Sequence, residues 1–232
     1  MKASTRSENR FSEINAVNAS PFILDIENIS EEELVFLQSE ILVINITSKN
    51  IDNYLALIKK IERSGIKKLI FISSTSVYEN NNKIISESDG YETSTKPLFI
   101  IENLFRKSNQ FETTIVRFGG LIGYRRNPGN FFRKGKLVQY PEAPVNLIHR
   151  DDCINIIGHI VQQGIWGEVF NCCADTHPTK REFYTQATTK IGLPVPEFIT
   201  SEKNSFKIIS NKKVKSILKY DFVHDDLMKI KV

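Results

Sequence analysis

Two apolar rhythms alternate along this chain. EILVINITS (residues 40–48) is short, rich in β-branched residues and apolar without alternation, which predicts a central parallel strand buried on both faces. IDNYLALIKKIERSG (51–65) then sets Tyr54, Leu55, Ile58 and Ile61 at helical spacing and stops at Ser64-Gly65, as an amphipathic crossover helix does. The alternation repeats through a strand in KKLIFISSTSVY (67–78), a helix in PLFIIENLFRKS (97–108) and a strand in TTIVRFGGLIG (113–123). Upstream, SPFILDIEN (20–28) holds a short apolar run that reaches Asp25. ISEEELVFLQ (29–38) signals a helix, with Ser30 as N-cap and Glu33 closing a capping box. Strand and helix in such alternation mean parallel pairing with right-handed crossovers.

The last third continues without a linker or repeat. RDDCINIIGHIVQQG (150–164) predicts a helix capped by Asp151 and ended by Gly164, and EVFNCCA (168–174) a short strand. THPTKREFYTQATTKIG (176–192) predicts a second capped helix, with Thr179 and Glu182 as its capping box. One compact unit is expected, any second domain being a small one built from loops and the C-terminal elements.

Several stretches appear in a fixed order: LDI (24–26), FISSTSVY (71–78), SESD (86–89), VRFGGLIG (116–123), VNLIHRDD (145–152) and GEVFNCCAD (167–175). Together they resemble the extended short-chain dehydrogenase/reductase family, in its NAD-dependent epimerase/dehydratase branch. The resemblance implies an α/β fold with a Rossmann-like doubly wound parallel sheet, N-terminally incomplete, and a small C-terminal substrate-side region. It divides the chain into an NAD(P)-binding core over residues 1–150 and a substrate side over 151–232. Oxidoreductase or sugar-nucleotide epimerase chemistry would follow. A catalytically silent nucleotide- or partner-binding relative, or a truncated product, stays open beside it.

In doubly wound sheets ligands sit at the carboxyl ends of the strands. The resemblance assigns Asp25 to the adenine amino group, and Ile26, Asn45, Thr47 and Ser73 to the same cofactor. Asp25 serves equally as a turn cap. KASTRSENRF (2–11) resembles the end of the family's second strand, where Arg6 would meet the 2'-phosphate of NADP, so NADP is favoured over NAD. The family's glycine-rich turn, whose amides hold the pyrophosphate, does not occur in this sequence. The chain is therefore expected to start one strand-helix unit late, leaving a gap in the ladder and weak cofactor binding.

The catalytic expectation rests on Ser74, Tyr91 and Lys96. The family stacks a Tyr over a Lys four residues later on one helical face. In YETSTKP (91–97), Tyr91 and Lys96 are five apart, a rotation of about 140°, and Pro97 favours a helix that starts after both. Aligned on Glu102, the Tyr and Lys positions fall on Ser94 and Leu98. Ser74 reads equally as a strand-end hydroxyl satisfying a turn. For a substrate, the resemblance points to Arg125 and Asn130 in GYRRNPGNFF (123–132) and to His149 beside Asp152, although the arginines read equally as solvated surface residues and helix capping and orientation explain His149 and Asp152 at least as well. These suit a small phosphorylated ligand such as a nucleotide sugar, and a homodimer is expected by analogy with the family.

Composition narrows the rest. The 232 residues carry 31 basic and 27 acidic side chains, a formal net charge of +4, spread along the chain, so a nucleic-acid partner gains no support. An apolar share of 41% with 25% charged residues fits a folded globular protein. Three cysteines, Cys153, Cys172 and Cys173, build no disulfide framework and suggest the cytoplasm. No apolar run approaches the roughly 18 residues of a spanning helix, so no membrane partner is expected. Cys172, Cys173 and His177 do not make a metal site, because adjacent strand residues point to opposite faces.

Overall fold

A computed structural model describes residues 1–29, 32–133, 137–199 and 205–230. Ser30 and the Glu33 side chain, expected to form a capping box, lie outside the described residues. In chain order the strands are β1 (Lys2–Thr5), β2 (Ser20–Ile23), β3 (Ile41–Ile44), β4 (Lys68–Ser74), β5 (Ile84–Ile85), β6 (Glu112–Phe118), β7 (Gly120–Ile122), β8 (Val138–Gln139), β9 (Leu147–His149), β10 (Val169–Cys172), β11 (Phe198–Ile199) and β12 (Ile208–Ile209). The α-helices are α1 (Phe11–Ala16), α2 (Ile51–Glu62), α3 (Pro97–Arg106), α4 (Arg150–Gln163), α5 (Lys180–Lys190) and α6 (Lys212–Leu218). The described strand pairs are parallel, giving the mixed α/β, Rossmann-like architecture that the alternating pattern predicts. The chain divides into two compact units, one of Met1–Phe71 with Thr95–Thr114, the other of Ile72–Ser94 with Ile115–Val232.

In the first unit β1 pairs with β2, Lys2 opposite Ser20 and Thr5 opposite Ile23. Separately, β3 pairs with β4, Ile41 opposite Lys68 and Ile44 opposite Phe71. Helix α2 is capped by Asn50, whose side chain accepts the Asp52 and Asn53 N–H groups. Its buried face is Tyr54, Leu57, Ile58 and Ile61, so Leu57 takes the place expected for Leu55, which is exposed. The Tyr54 ring meets Phe71 and Phe105 edge-on, at centroid distances of 5.9 and 5.8 Å, tying α2 to β4 and α3. Helix α3 begins at Pro97 with Lys96 extended at its N-cap, as the proline predicts.

One expectation for this unit needs correction. β3 covers only Ile41–Ile44 and is not buried on both faces: Leu42 and Ile44 are buried, whereas Ile41 is 37% and Val43 42% exposed. Ile41 and Val43 share one face of the strand, and that face is left uncovered. Among the described residues β3 has β4 on one edge and no strand on the other.

In the second unit β6 pairs with β10, Ile115 opposite Val169 and Phe118 opposite Cys172. Short pairs β7 with β9, β5 with β12 and β8 with β11 surround a core that includes Ile122, Val138, Leu147, Phe183 and Leu227. Helix α5 carries the expected Thr179–Glu182 capping box, and Gly164 ends α4 in the left-handed region at φ 65°. The cap of α4 is His149 instead of the expected Asp151: the helix starts at Arg150, and the His149 ring accepts the Asp151 N–H. Among the described residues no helix is long and apolar enough to cross a membrane.

Candidate functional site

The first unit encloses a cavity of about 670 Å³, within the usual range for small-molecule sites. Its walls include β1 with Arg6 behind it, the turn after β2, and β3 with the segment that follows it. Five residues assigned to a cofactor by resemblance meet here: Arg6, Asp25, Ile26, Asn45 and Thr47. They lie just beyond the carboxyl ends of β1, β2 and β3, where side chains escape the ladder. The segment after β3 is held from below by Tyr54, whose hydroxyl donates to the Ile46 and Ser48 carbonyls at 3.3 and 3.2 Å. Burial pushes that phenol up to about 12, so it remains a donor at neutral pH. Asp25 also accepts the Glu27 N–H at 3.0 Å, a turn role that leaves its second oxygen for a ligand.

A second cavity of about 340 Å³ lies wholly in the second unit. Ser74, Asn146, Lys180, Tyr184 and Lys207 are among its lining residues. Ser74 caps a short 3-10 turn over Thr75–Val77 by accepting the Ser76 N–H at 3.1 Å, so its turn role is realised at the cavity wall. Asn146 bonds the Lys207 carbonyl and the Ile209 N–H, which fixes the 207–209 segment. Lys180 donates to the Gln139 carbonyl at 2.9 Å, and burial lowers its pKa. Asn146, Lys180, Tyr184 and Lys207 escape a reading of the sequence because they converge from distant segments. No local pattern marks them.

Elsewhere in this unit a buried polar network joins four elements. Arg117, 1% exposed, donates to Glu92 and to the Tyr78 hydroxyl, each at 2.5 Å. Tyr78 donates onward to the Asn171 side chain at 2.9 Å, and Glu87 accepts the Asn171 N–H at 2.7 Å. Burial is the largest influence on both acids, raising Glu87 and pushing Tyr78 up to about 12. The network holds β6, β10 and the segment after β4 in register.

The remaining expected residues are dispersed. Ser73 is buried within β4 and does not reach the cavity that Ser74 lines. Tyr91 lies in the segment before α3, its hydroxyl accepting from Lys83 Nζ at 3.3 Å. Tyr91 and Lys96 both precede the first residue of α3, so neither stands on its helical face. Arg125 and Asn130 are exposed and, with His149, are absent from the second cavity's lining. His149 is buried, its ring tilted 44° against that of His224 at 3.8 Å between centroids, and its pKa is lowered by burial and then by that second imidazole. Asp152, with no exposure, accepts from the Tyr220 hydroxyl and from the Val223 and His224 N–H groups, anchoring the C-terminal segment.

His149, Asp151 and His224 bring three metal-type ligand atoms within 4.8 Å of one another. His149 Nδ1 accepts the Asp151 N–H and Asp151 accepts the Tyr124 hydroxyl, so the cluster works as a helix cap. Gly123 sits at φ 107°, where a Cβ would come 2.3 Å from His149 Nε2. Only glycine lets the chain pass this ring.

With this geometry in hand, comparison with known proteins is informative. No protein-family model matches the chain. Protein YeeZ of Escherichia coli K12 is 33% identical over 165 residues, which cover 69% of this chain and 60% of that protein. The chain thus spans less than two thirds of its curated relative. A conserved protein of unknown function from Silicibacter pomeroyi superposes with a TM-score of 0.80 at 18% identity, covering 97% of this chain and 86% of that one. UDP-glucuronic acid 4-epimerase from Bacillus cereus, solved with NAD and a fluorinated UDP-glucuronic acid, gives 0.76 at 15% identity, covering 98% and 88%. The fold is that of these NAD-dependent epimerases and dehydratases. The NAD complex of dTDP-glucose 4,6-dehydratase from Bacillus anthracis agrees, at 0.72 and 18% identity over 96% and 82% of the two chains.

Proposed function

We propose that this chain is an NAD(P)-binding protein of the epimerase/dehydratase type, with the dinucleotide held in the first unit's cavity. The observation that carries the proposal is the convergence of Arg6, Asp25, Ile26, Asn45 and Thr47, spread over the first 47 residues, on one cavity wall system. Arg6 favours NADP, since a guanidinium suits a 2'-phosphate by paired charge-assisted bonds. In this reading the cavity flanked by β1 and β3 stands where the family's first strand and its glycine-rich turn run, and cofactor affinity is correspondingly low. The second cavity, with Lys180 and Lys207, suits a phosphorylated small molecule such as a nucleotide sugar. Cytoplasmic location and homodimeric assembly complete the reading.

Titration of NADPH and NADH by fluorescence tests it. Arg6→Ala is expected to weaken NADPH about 10-fold or more, matching the loss of a charge-assisted bond of about 1.5–3 kcal/mol, and to leave NADH unchanged. Failure of both dinucleotides to bind at millimolar concentration would remove the proposal.

A second reading, binding without turnover, is favoured by one observation: both Tyr91 and Lys96 lie ahead of α3, and the Tyr91 hydroxyl bonds Lys83. A sugar nucleotide that binds without any change at its ring carbons would support this reading; measurable epimerisation would reject it.

A further inference from the structure

The turn that starts α4 gathers more ligand chemistry than a helix cap uses. Asp151 Oδ2 lies 3.3 Å from His149 Nδ1 and 3.3 Å from His224 Nε2, and the three ligand atoms fall within 4.8 Å of one another. Zinc binds nitrogen at about 2.0–2.1 Å and carboxylate oxygen at about 2.0–2.2 Å, so neighbouring ligand atoms of a tetrahedral site stand about 3.3–3.4 Å apart. Both separations match that edge. Partners that share a proton close further, to about 2.7–3.2 Å.

The proton inventory points the same way. A backbone N–H can only donate, so the Asp151 N–H bond to His149 Nδ1 places that ring's proton on Nε2 and leaves Nδ1 an acceptor. A neutral imidazole nitrogen and a carboxylate oxygen therefore face each other at 3.3 Å as two acceptors, an arrangement that a cation between them relieves. The cap bond on Nδ1 is itself 3.3 Å long, a weak contact for an ion to replace.

Each ligand is also held from outside the cluster. Tyr124 donates to Asp151 Oδ1 at 2.7 Å, which leaves Oδ2 for an ion. The buried Asp152 carboxylate accepts the Val223 and His224 N–H groups at 2.8 and 3.2 Å, fixing the segment that carries His224, and Gly123 gives the His149 ring its room. Such outer contacts are what orient metal ligands. The N-terminus of α4 and the exposed Arg150 oppose a cation, whereas the Asp151 and Asp152 carboxylates attract one. The Asp151 and His224 side chains are 33% and 24% exposed, which gives an ion its way in.

We propose that His149 Nδ1, His224 Nε2 and Asp151 Oδ2 bind one Zn²⁺ ion, with water in the fourth position, and that the ion ties the C-terminal segment to the start of α4. Two imidazoles and a carboxylate suit a borderline cation over Mg²⁺ or Ca²⁺, which take oxygen ligands. The site lies within the second unit and none of its three residues lines either cavity, so it is independent of the dinucleotide reading.

The test is calorimetric titration of Zn²⁺ into the chelator-treated full chain, paired with NMR of the histidine ring nitrogens. Expected are one Zn²⁺ per chain at a Kd below about 100 μM, shifts of His149 Nδ1 and His224 Nε2, and a shifted Asp151 amide as its cap bond gives way, while His159 and His177 stay unmoved. Asp151→Asn and His224→Ala should each weaken Zn²⁺ at least about 10-fold, the smaller of the losses typical even for an outer partner of a ligand, and His159→Ala should bind as the parent does. Millimolar Mg²⁺ should leave the titration unchanged. The ring-nitrogen shifts of the parent chain keep the test decisive if a variant does not fold. Absence of binding at about 100 μM Zn²⁺, binding that survives both variants, displacement by Mg²⁺, or shifts confined to His159 or His177 overturns the proposal.

Discussion

β3 and β6 are both β-branched strands and end in different states. ILVI in β3 is wholly apolar and ETTIVRF in β6 mixes apolar with polar residues, yet both are rich in the β-branched residues that fill the middle of a parallel sheet. In β6 every residue from Thr113 to Phe118 is buried, with the start of the strand bonded back to Lys67 and its end paired to β10. In β3 alternate residues stay exposed because Ile41 and Val43 share a face that is left uncovered, while Leu42 and Ile44 on the other face are buried. The difference teaches that an apolar run records the environment a strand is suited to, and the neighbours decide whether that environment is supplied. β3 has the composition of a central strand and the surroundings of an edge.

The sharpest way to break this comparison is to put a charge in each strand. Val116→Lys places an ammonium where there is no exposure, and is expected to cost more than about 4 kcal/mol, enough to prevent folding. Val43→Lys, at a position 42% exposed, should stay within about 0.5 kcal/mol of the parent in urea unfolding. Similar losses at both sites would show that β3 is enclosed after all.

Arg117→Ala probes what closes β6. It leaves the Glu92 carboxylate without its guanidinium in a buried setting, and about 3–5 kcal/mol should be lost. A double-mutant cycle with Glu92→Gln should recover part of that loss as coupling. Independent, additive effects would mean that the network does not hold the strand.

The smallest effect concerns pH. His149 and His177 both have pKa values lowered by burial. An unfolded chain then binds more protons than the folded one below the ordinary histidine value of 6.5, so stability must fall as pH drops through and below it. Melting temperatures at pH 7.5 and 5.5 should show this fall, and His149→Gln should flatten it. A stability that rises on acidification would reverse the sign assigned here.

Much of the fold was legible in the sequence, because it rests on local rules. The start of α3 at Pro97, the capping box of Thr179 and Glu182 and the stop at Gly164 all follow from backbone chemistry within a few residues. Asp151 is the commoner cap type and was expected to cap α4, but the cap is His149, for which helix capping was the alternative to substrate contact. The cofactor candidates converge because strand ends in parallel sheets gather on one side. Lys180 and Lys207 were invisible, since each looks like an ordinary surface lysine until distant segments bring it to a cavity wall. Arg117 was hidden for the same reason: a buried arginine is recognisable only by its partners Glu92 and Tyr78.

The account turns on the open edge of β3, and amide exchange of the unliganded chain measures it directly. Leu42 and Ile44, bonded to β4, should exchange at least 10-fold more slowly than Ile41 and Val43, whose N–H groups point away from β4. Uniform protection of all four amides would contradict the open edge and, with it, the distinction drawn between β3 and β6.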